Sequence, residues 1–206
     1  MSRKAEQSEA TRAALVAAGR ALFTEREYSQ VGTEEIVRRA KVTRGALYHH
    51  FKDKRDLFRA AHEQVEEEMV AAIVAAMEGA ADPVELLVAG ARRFLALCLD
   101  PTWTQIPLID APSVLGWREW REVDMRHGLG LISAGLQGGM DAGVLRVQPV
   151  LPLAHVLLAA LSEAGLMVAT APDPQAARAE VEPTILGMIE SLRAAPGGAA
   201  TRPSAR

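Results

Sequence analysis

Cysteine and aromatic residues are scarce in this 206-residue sequence. Cys98 is the one cysteine, and Phe, Trp and Tyr together make up 4% of the residues. A single cysteine excludes an internal disulfide and fits a reducing compartment. The sequence also lacks an uninterrupted run of about 20 apolar residues, as a membrane-spanning helix requires, and its polar first residues do not resemble a signal peptide. We therefore expect a cytoplasmic protein without a membrane partner.

The residue patterns of metal sites and catalytic sites are missing as well. His49 and His50 are adjacent and cannot share one face of a helix, and the other three histidines lack ligand spacing. Nothing in the sequence resembles a catalytic triad or a pair of catalytic carboxylates. We expect no cofactor, no metal and no enzymatic activity, and an all-α enzyme is the least favoured alternative.

Helical periodicity is what the sequence has in abundance. Hydrophobic residues account for 49% of the chain, and they recur three and four positions apart almost throughout. No segment shows the alternation typical of a strand. Long helices are predicted at about 8–26, 54–79, 83–99, 117–140, 150–170 and 174–194. Prolines break the pattern at residues 101–116, and the tail 196–206 is predicted to be disordered.

The most informative pattern lies in residues 33–57. Two pairs of apolar residues are four positions apart and therefore share helix faces: Ile36 with Ala40, and Leu47 with Phe51. Thr43 is a suitable N-cap for the second short helix, and Asp53 with Asp56 is similar to a capping box for the long helix that follows. Two short helices joined by a tight turn are typical of a helix-turn-helix, which places its second helix in the DNA major groove.

The outward face of the second short helix suits DNA. Gly45 is small and allows the helix to approach base edges closely, while Arg44 in the first turn suits a bidentate contact to guanine. Tyr48 and His49 can donate hydrogen bonds to phosphates or bases, and Thr33 opens the preceding helix, where its hydroxyl can meet a phosphate. The alternative is an ordinary helical hairpin whose polar face is merely solvated.

The distribution of charge supports the DNA interpretation. The chain has a net charge of −3, yet residues 1–58 hold 12 Lys and Arg against 8 Asp and Glu, a net +4. The remaining residues therefore carry −7. A basic first part would attract phosphate, and an acidic remainder would orient the molecule on the duplex.

The pattern over residues 8–58 resembles the TetR family of bacterial transcriptional regulators. The residues that carry the resemblance are Thr33, Ile36, Ala40, Val42, Gly45, Tyr48, His50, Phe51, Lys54 and Leu57. The resemblance implies that Thr33, Tyr48 and Lys54 contact phosphates. It also implies that base choice varies at Thr43, Arg44, Gly45 and His49.

The expected fold is all-α, with an N-terminal three-helix helix-turn-helix DNA-binding domain and a larger C-terminal helical domain for ligand binding and dimerisation. We place the first domain at residues 1–55, the second at 56–195 and the tail at 196–206. Wide aromatic and flexible methionine side chains suit a pocket for a small apolar molecule. The candidate pocket residues are Phe94, Trp103, Trp117, Met125 and Met167. They could equally belong to an ordinary core.

A homodimer is expected because one short recognition helix reads only a few base pairs, whereas two copies read a palindrome. Apolar helical segments near the C-terminus would form the interface, as the resemblance also implies. The candidate residues are Leu157, Leu161, Gly165, Ile185, Met188 and Ile189. The alternative is that these residues form the core of one subunit.

The sequence therefore predicts a regulator that binds a double-stranded DNA operator and is released from it by a small-molecule inducer. The alternatives are a transcriptional activator and a DNA-binding protein that responds to no ligand.

Overall fold

The computed structural model describes residues 3–194, which form α-helices joined by short turns. Their bounds are α1 Arg3–Glu25, α2 Thr33–Ala40, α3 Arg44–His50, α4 Lys54–Met77, α5 Pro83–Leu97, α6 Pro101–Thr104, α7 Ala111–Asp124, α8 Gly130–Asp141, α9 Val150–Thr170 and α10 Pro174–Glu190. Within this range an isolated bridge between Leu145 and Arg193 is the one β-type pairing. The all-α prediction is confirmed. The tail 196–206, predicted to be disordered, lies outside the described residues.

Side-chain caps explain where several helices begin. The Thr43 hydroxyl accepts a hydrogen bond from the Ala46 N–H at 3.2 Å, and Asp53 accepts one from the Asp56 N–H at 2.8 Å. Each cap satisfies an N–H group that the helix itself leaves unpaired. Asp56 accepts a hydrogen bond from the Lys52 N–H at 3.1 Å, so the predicted capping box is shifted by one residue.

Helical structure continues through residues 101–116, where the sequence predicted short helical pieces or loops, and on through residue 129. Two π-helical turns, Gln105–Asp110 and Met125–Leu129, follow α6 and α7. A π-turn accommodates an extra residue without ending the helix, and the first of them contains Pro107. Gly116, with φ 75° and ψ 154°, divides α7 into two parts. The predicted helix 117–140 is therefore the second half of α7, a π-turn and most of α8.

Buried side chains form two hydrophobic cores. The first core joins α1–α4 and also includes four residues of the segment after α6: Ile106, Ala111, Leu115 and Trp120. The second core joins α5, α8, α9 and α10. Helix α1 packs closely on α4 because Gly19 has no Cβ, which would overlap the Leu57 side chain. The predicted boundary between 55 and 56 falls inside α4, and it remains a prediction.

Candidate nucleic-acid interface and interior cavity

Helices α2 and α3 form a short hairpin with one face buried and one face open. Lys41 turns the chain between them with φ 56°. Ile36 and Leu47 are fully buried and Phe51 is 3% exposed, all in the first core. The inward face predicted from the four-residue spacing is therefore the one that packs.

Five of the seven predicted DNA-contact residues lie on the open face of α3 and its N-cap. The five are Thr43, Arg44, Gly45, Tyr48 and His49, and all of them are exposed. Thr33 is half-buried at the start of α2. A Cβ on Gly45 would meet only the Thr43 Oγ1, at 3.8 Å. No side chain projects from the open face at Gly45, so another surface can approach the helix backbone there.

Arg44 is held by two neighbours on this face. Its Nη1 lies 2.8 Å from Glu34 Oε1 of α2, and its guanidinium lies 5.6 Å from the Tyr48 ring centroid. Both charged side chains are more than 60% exposed, and such exposed pairs contribute little to stability. A phosphate or a base edge could therefore take Arg44 from Glu34. Glu34 could not be recognised from the sequence, because an acidic residue in a first helical turn usually only stabilises the helix end.

Lys54 is used within the protein. Its Nζ donates to the carbonyl oxygens of Tyr28 and Val31, each at 2.9 Å, and lies 3.9 Å from the Tyr28 ring centroid. Burial lowers its pKa. Two of its three N–H groups therefore fix the turn that leads into α2, and one is left for a phosphate. The sequence pattern could not show this, because the two carbonyl groups become neighbours only in the 3₁₀ turn Tyr28–Gln30.

Polar contacts join the α1–α4 region to the segment after α6. The Tyr28 N–H donates to Asp110 Oδ2 at 3.1 Å. Arg55 donates to the carbonyl oxygens of Val114 and Leu115 at 3.0 and 2.8 Å and pairs with Glu119 at 2.6 Å. These bonds, together with the shared first core, fix α7 against the start of α4. Asp110 is 7% exposed, and burial raises its pKa.

A largely apolar cavity lies between α4, α5, α8, α9 and α10. It encloses about 1000 Å³ of space between atoms, including its mouth. Three polar side chains lie among its lining residues: Glu66, Asp124 and Ser162. Burial and the nearby charge of Glu66 raise the pKa of Asp124 to about 6. The lining is therefore apolar except for a small acidic region near the end of α7.

Phe94 is the one predicted pocket residue that lines this cavity. Trp103 instead packs against the first core, with the Arg20 guanidinium 6.0 Å from its ring. Trp117 is 69% exposed and Met167 is 52% exposed, while Met125 is half-buried outside the lining. Residue type alone could not separate these positions, because the π-turns and Gly116 decide which way α7 and its neighbours face.

The predicted interface residues mostly face the interior of their own subunit. Five of them line the cavity: Leu157, Leu161, Ile185, Met188 and Ile189. Met188 is also 39% exposed. Gly165 packs inward, where a Cβ would lie 2.8 Å from Phe94 Cζ and 3.0 Å from Cys98 Sγ. The predicted assignment of these residues to a subunit contact thus fits the geometry only at Met188.

Another set of residues forms an outer face on α9 and α10. Most of these residues are small or apolar and exposed, namely Val156, Ala159, Met167, Ala179, Pro183 and Gly187, and the exposed Glu163 lies on the same side of α9 between Ala159 and Met167. By length and composition α9 is apolar enough to cross a membrane, and 28% of its most apolar stretch is buried. No such segment was expected, because the sequence has no uninterrupted apolar run of sufficient length. A single helix of this kind is weak evidence of a membrane, since a helix of a water-soluble core passes the same test.

Two family models match the chain. The model described as "Tetracyclin repressor-like, C-terminal domain" matches residues 84–192, and the model described as "Bacterial regulatory proteins, tetR family" matches residues 15–61. The Transposon Tn10 TetC protein of Escherichia coli is 30% identical over 129 residues, which are 63% of this chain and 65% of TetC. The HTH-type transcriptional repressor BepR of Brucella suis is 47% identical over 57 residues, or 28% of this chain and 27% of BepR. These matches span less than two thirds of either relative.

Solved structures resemble the whole fold. A TetR-family transcriptional regulator from Pectobacterium atrosepticum superposes with a TM-score of 0.83 and 31% identity, covering 95% of this chain and 100% of that one. RolR, crystallised with resorcinol, has a TM-score of 0.69 and 23% identity over 91% of this chain and 95% of its own. The second comparison shows a shared fold alone.

The raised pKa of Asp124 predicts a specific pH dependence of stability. Between its ordinary value of 3.8 and about 6, the folded state binds more protons than the unfolded state. The free energy of unfolding should therefore lose a contribution, on the order of 2–3 kcal/mol, as pH rises through this window. We expect Asp124→Asn to remove the loss, so that the variant gains stability relative to wild type between pH 4 and 7.

Urea unfolding at several pH values measures this difference in slope. Asp141→Asn, which changes an exposed aspartate of α8, is the matched control and should follow wild type. If the free energy of unfolding depends on pH in the same way for wild type and Asp124→Asn, the pKa of Asp124 is not raised in the folded protein.

Proposed function

Because the chain belongs to the TetR family of bacterial regulatory proteins, we propose that it is a transcriptional repressor that a small molecule releases from its DNA operator. The observation that carries DNA binding is the open face of α3, with Thr43, Arg44, Gly45, Tyr48 and His49 exposed together. The major groove is wide enough to admit an α-helix such as α3. A regulator of this kind carries no catalytic centre.

Each residue of the face has a role that follows from its chemistry. Arg44 would leave Glu34 and form a bidentate contact with guanine, while Gly45 lets the backbone lie close to the bases. Tyr48 and Thr33 would donate hydrogen bonds to phosphates, and the free N–H of Lys54 would add a third phosphate contact. Because Arg44 exchanges its contact with Glu34 for a contact with DNA, binding becomes sensitive to salt and to the base that Arg44 contacts.

A homodimer would present two such faces to one side of the duplex. The outer face of α9 and α10 supports this assembly, because these two helices pack on each other and expose apolar residues such as Val156 and Met167 on α9 and small ones such as Gly187 on α10. Small residues let helices approach closely, and a second copy of the face would remove the apolar surface from water. The low burial of α9 in the single subunit is then explained, because the second subunit of the dimer would cover its exposed side.

The cavity would hold the inducer, and α4 would carry its effect. Glu66, Met69 and Ile73 of α4 line the cavity, whereas Leu57 and Phe58 of the same helix pack in the first core beside α3. A ligand that binds more tightly when α4 is displaced would change the spacing between the open faces of α3 in the two subunits. Its preference between the two states sets the coupling, typically about 1–3 kcal/mol. The RolR structure, which shares this fold, contains resorcinol.

Selection of bound fragments from random DNA tests the proposed function. We expect a palindrome whose half-sites are centred about one helical turn apart, roughly 34–36 Å, because the dimer axis relates the two recognition helices. Affinity should fall steeply with salt concentration as phosphate contacts are screened. A reporter gene placed under the selected operator then distinguishes repression from activation. Binding without any preferred sequence would contradict the proposal.

Arg44 should determine one base pair in each half-site. We expect Arg44→Ala to relax the preference at that base pair and to weaken binding to the best operator by about 1–3 kcal/mol. Titration of operators altered at single positions measures the change. Arg92→Ala, an exposed arginine of α5 far along the chain from α3, is the matched control. If the Arg44→Ala protein keeps the full base preference, Arg44 does not read a base directly.

Charges placed on the outer face should separate the subunits. We expect the double variant Val156→Glu, Met167→Glu to be monomeric by sedimentation, because two unpaired carboxylates cannot enter an apolar interface. Its affinity for the palindrome should fall to that of a half-site. Val147→Glu, at an exposed valine between α8 and α9, should leave the dimer intact. A double variant that remains dimeric would place the interface elsewhere.

A further inference from the structure

The polar lining of the cavity is built from two buried carboxyl groups. Glu66 of α4 is 8% exposed and Asp124 at the end of α7 is 9% exposed. The third polar residue, Ser162, already donates its hydroxyl to the Leu158 carbonyl at 2.9 Å. An apolar cavity with carboxyl groups at one place favours a ligand with one polar end and an apolar remainder.

Each carboxyl group uses one oxygen within the protein. Glu66 Oε1 lies 3.3 Å from His62 Nε2, and Asp124 Oδ2 accepts from Arg121 Nη1 at 2.6 Å. Among residues 3–194, the second oxygen of each group has no side-chain or backbone donor. Neither second oxygen is among the fully buried atoms without a partner in residues 3–194, which are His62 Nδ1 and His127 Nε2, so both oxygens remain accessible as acceptors for a ligand.

The space around Asp124 is kept open by Gly128 of the following π-turn. A Cβ there would lie 3.9 Å from Asp124 Oδ1 and 2.9 Å from Leu158 Cδ1, and Gly128 itself lines the cavity. His62, fully buried beside Glu66, has no partner for its Nδ1 among the described residues. His62, Glu66 and Asp124 therefore keep hydrogen-bonding capacity that they do not use on one another.

With His62 neutral, the charges of this cluster leave one excess negative charge. Glu66 and Asp124 can each carry one negative charge, and Arg121 is the one guanidinium bonded to either carboxyl group within residues 3–194. Buried charge is stabilised only by an opposite charge or by hydrogen bonds. A cationic group with N–H donors would supply both, whereas an anionic ligand would be repelled.

Building on the proposed function, we propose that the inducer is an apolar molecule carrying a protonated amine, whose N–H groups donate to Glu66 and Asp124. The apolar part would lie along Met69, Ile73 and Phe94 of the cavity. Because Glu66 belongs to α4, the amine acts directly on the helix that leads to α3. Two residues further on, Glu68 pairs with Arg20 of α1 at 2.6 Å, so a displacement of α4 also pulls on α1.

Three probes of the same shape test the ligand class: 4-phenylbutylamine, 4-phenylbutanol and 4-phenylbutyrate. Calorimetry and thermal shift with the full chain should show that the amine binds at least tenfold more tightly than the alcohol, with the acid weakest. In Glu66→Gln and Asp124→Asn the affinity for the amine should fall at least tenfold while that for the alcohol stays unchanged. Glu67→Gln, an exposed neighbour on α4, should behave as wild type.

Operator binding without ligand and circular dichroism verify that each variant is folded. Equal affinities for amine and alcohol, failure of all three probes to bind, or unchanged amine affinity in both folded variants would overturn the ligand class. The proposed function is tested separately by operator release: if the amine binds through Glu66 and Asp124 but leaves the operator complex intact, the ligand class stands and ligand-controlled release fails.

Discussion

Helix α4 belongs to the first hydrophobic core at one end and lines the cavity at the other, and the coupling between these two parts of the molecule depends on it. Its first half, through Leu57, Phe58 and Val65, is packed beside α1–α3. Its second half, from Glu66 to Met77, lines the cavity. A helix bends little without a proline or an inserted turn, so a displacement at the cavity is carried along the helix to the recognition face.

The start of α4 is fixed by polar contacts that a purely apolar packing would not supply. Lys54 binds the Tyr28 and Val31 carbonyl groups, and Arg55 binds those of Val114 and Leu115. Each bond has directional geometry and therefore one preferred arrangement. The segment after α6 is thereby held to the same end of α4 as α2 and α3, so two sets of contacts connect the cavity region with these helices.

Stability and function make different demands on the cavity. Replacing Glu66 and Asp124 with apolar side chains would remove the cost of burying two carboxyl groups. The chain instead keeps a glycine beside Asp124 and leaves acceptors unused there. Such a departure from full packing is the kind of local cost that functional sites carry. The exposed apolar face of α9 and α10 is a similar departure, and in the proposed dimer the partner subunit removes it.

The sequence by itself determined most of the helices and which face of α3 is buried. Local rules were sufficient there, because Thr43 and Asp53 cap their own helices and the four-residue spacing of Leu47 and Phe51 decides which face is buried. Only the tertiary structure decided which side chains line the cavity and which stay outside. Trp117 and Met167 point to solvent and Leu157 and Ile189 point inward because the packing of whole helices, the π-turns and Gly116 set their rotation. Those rotations depend on contacts between residues far apart in the chain, which no local pattern contains.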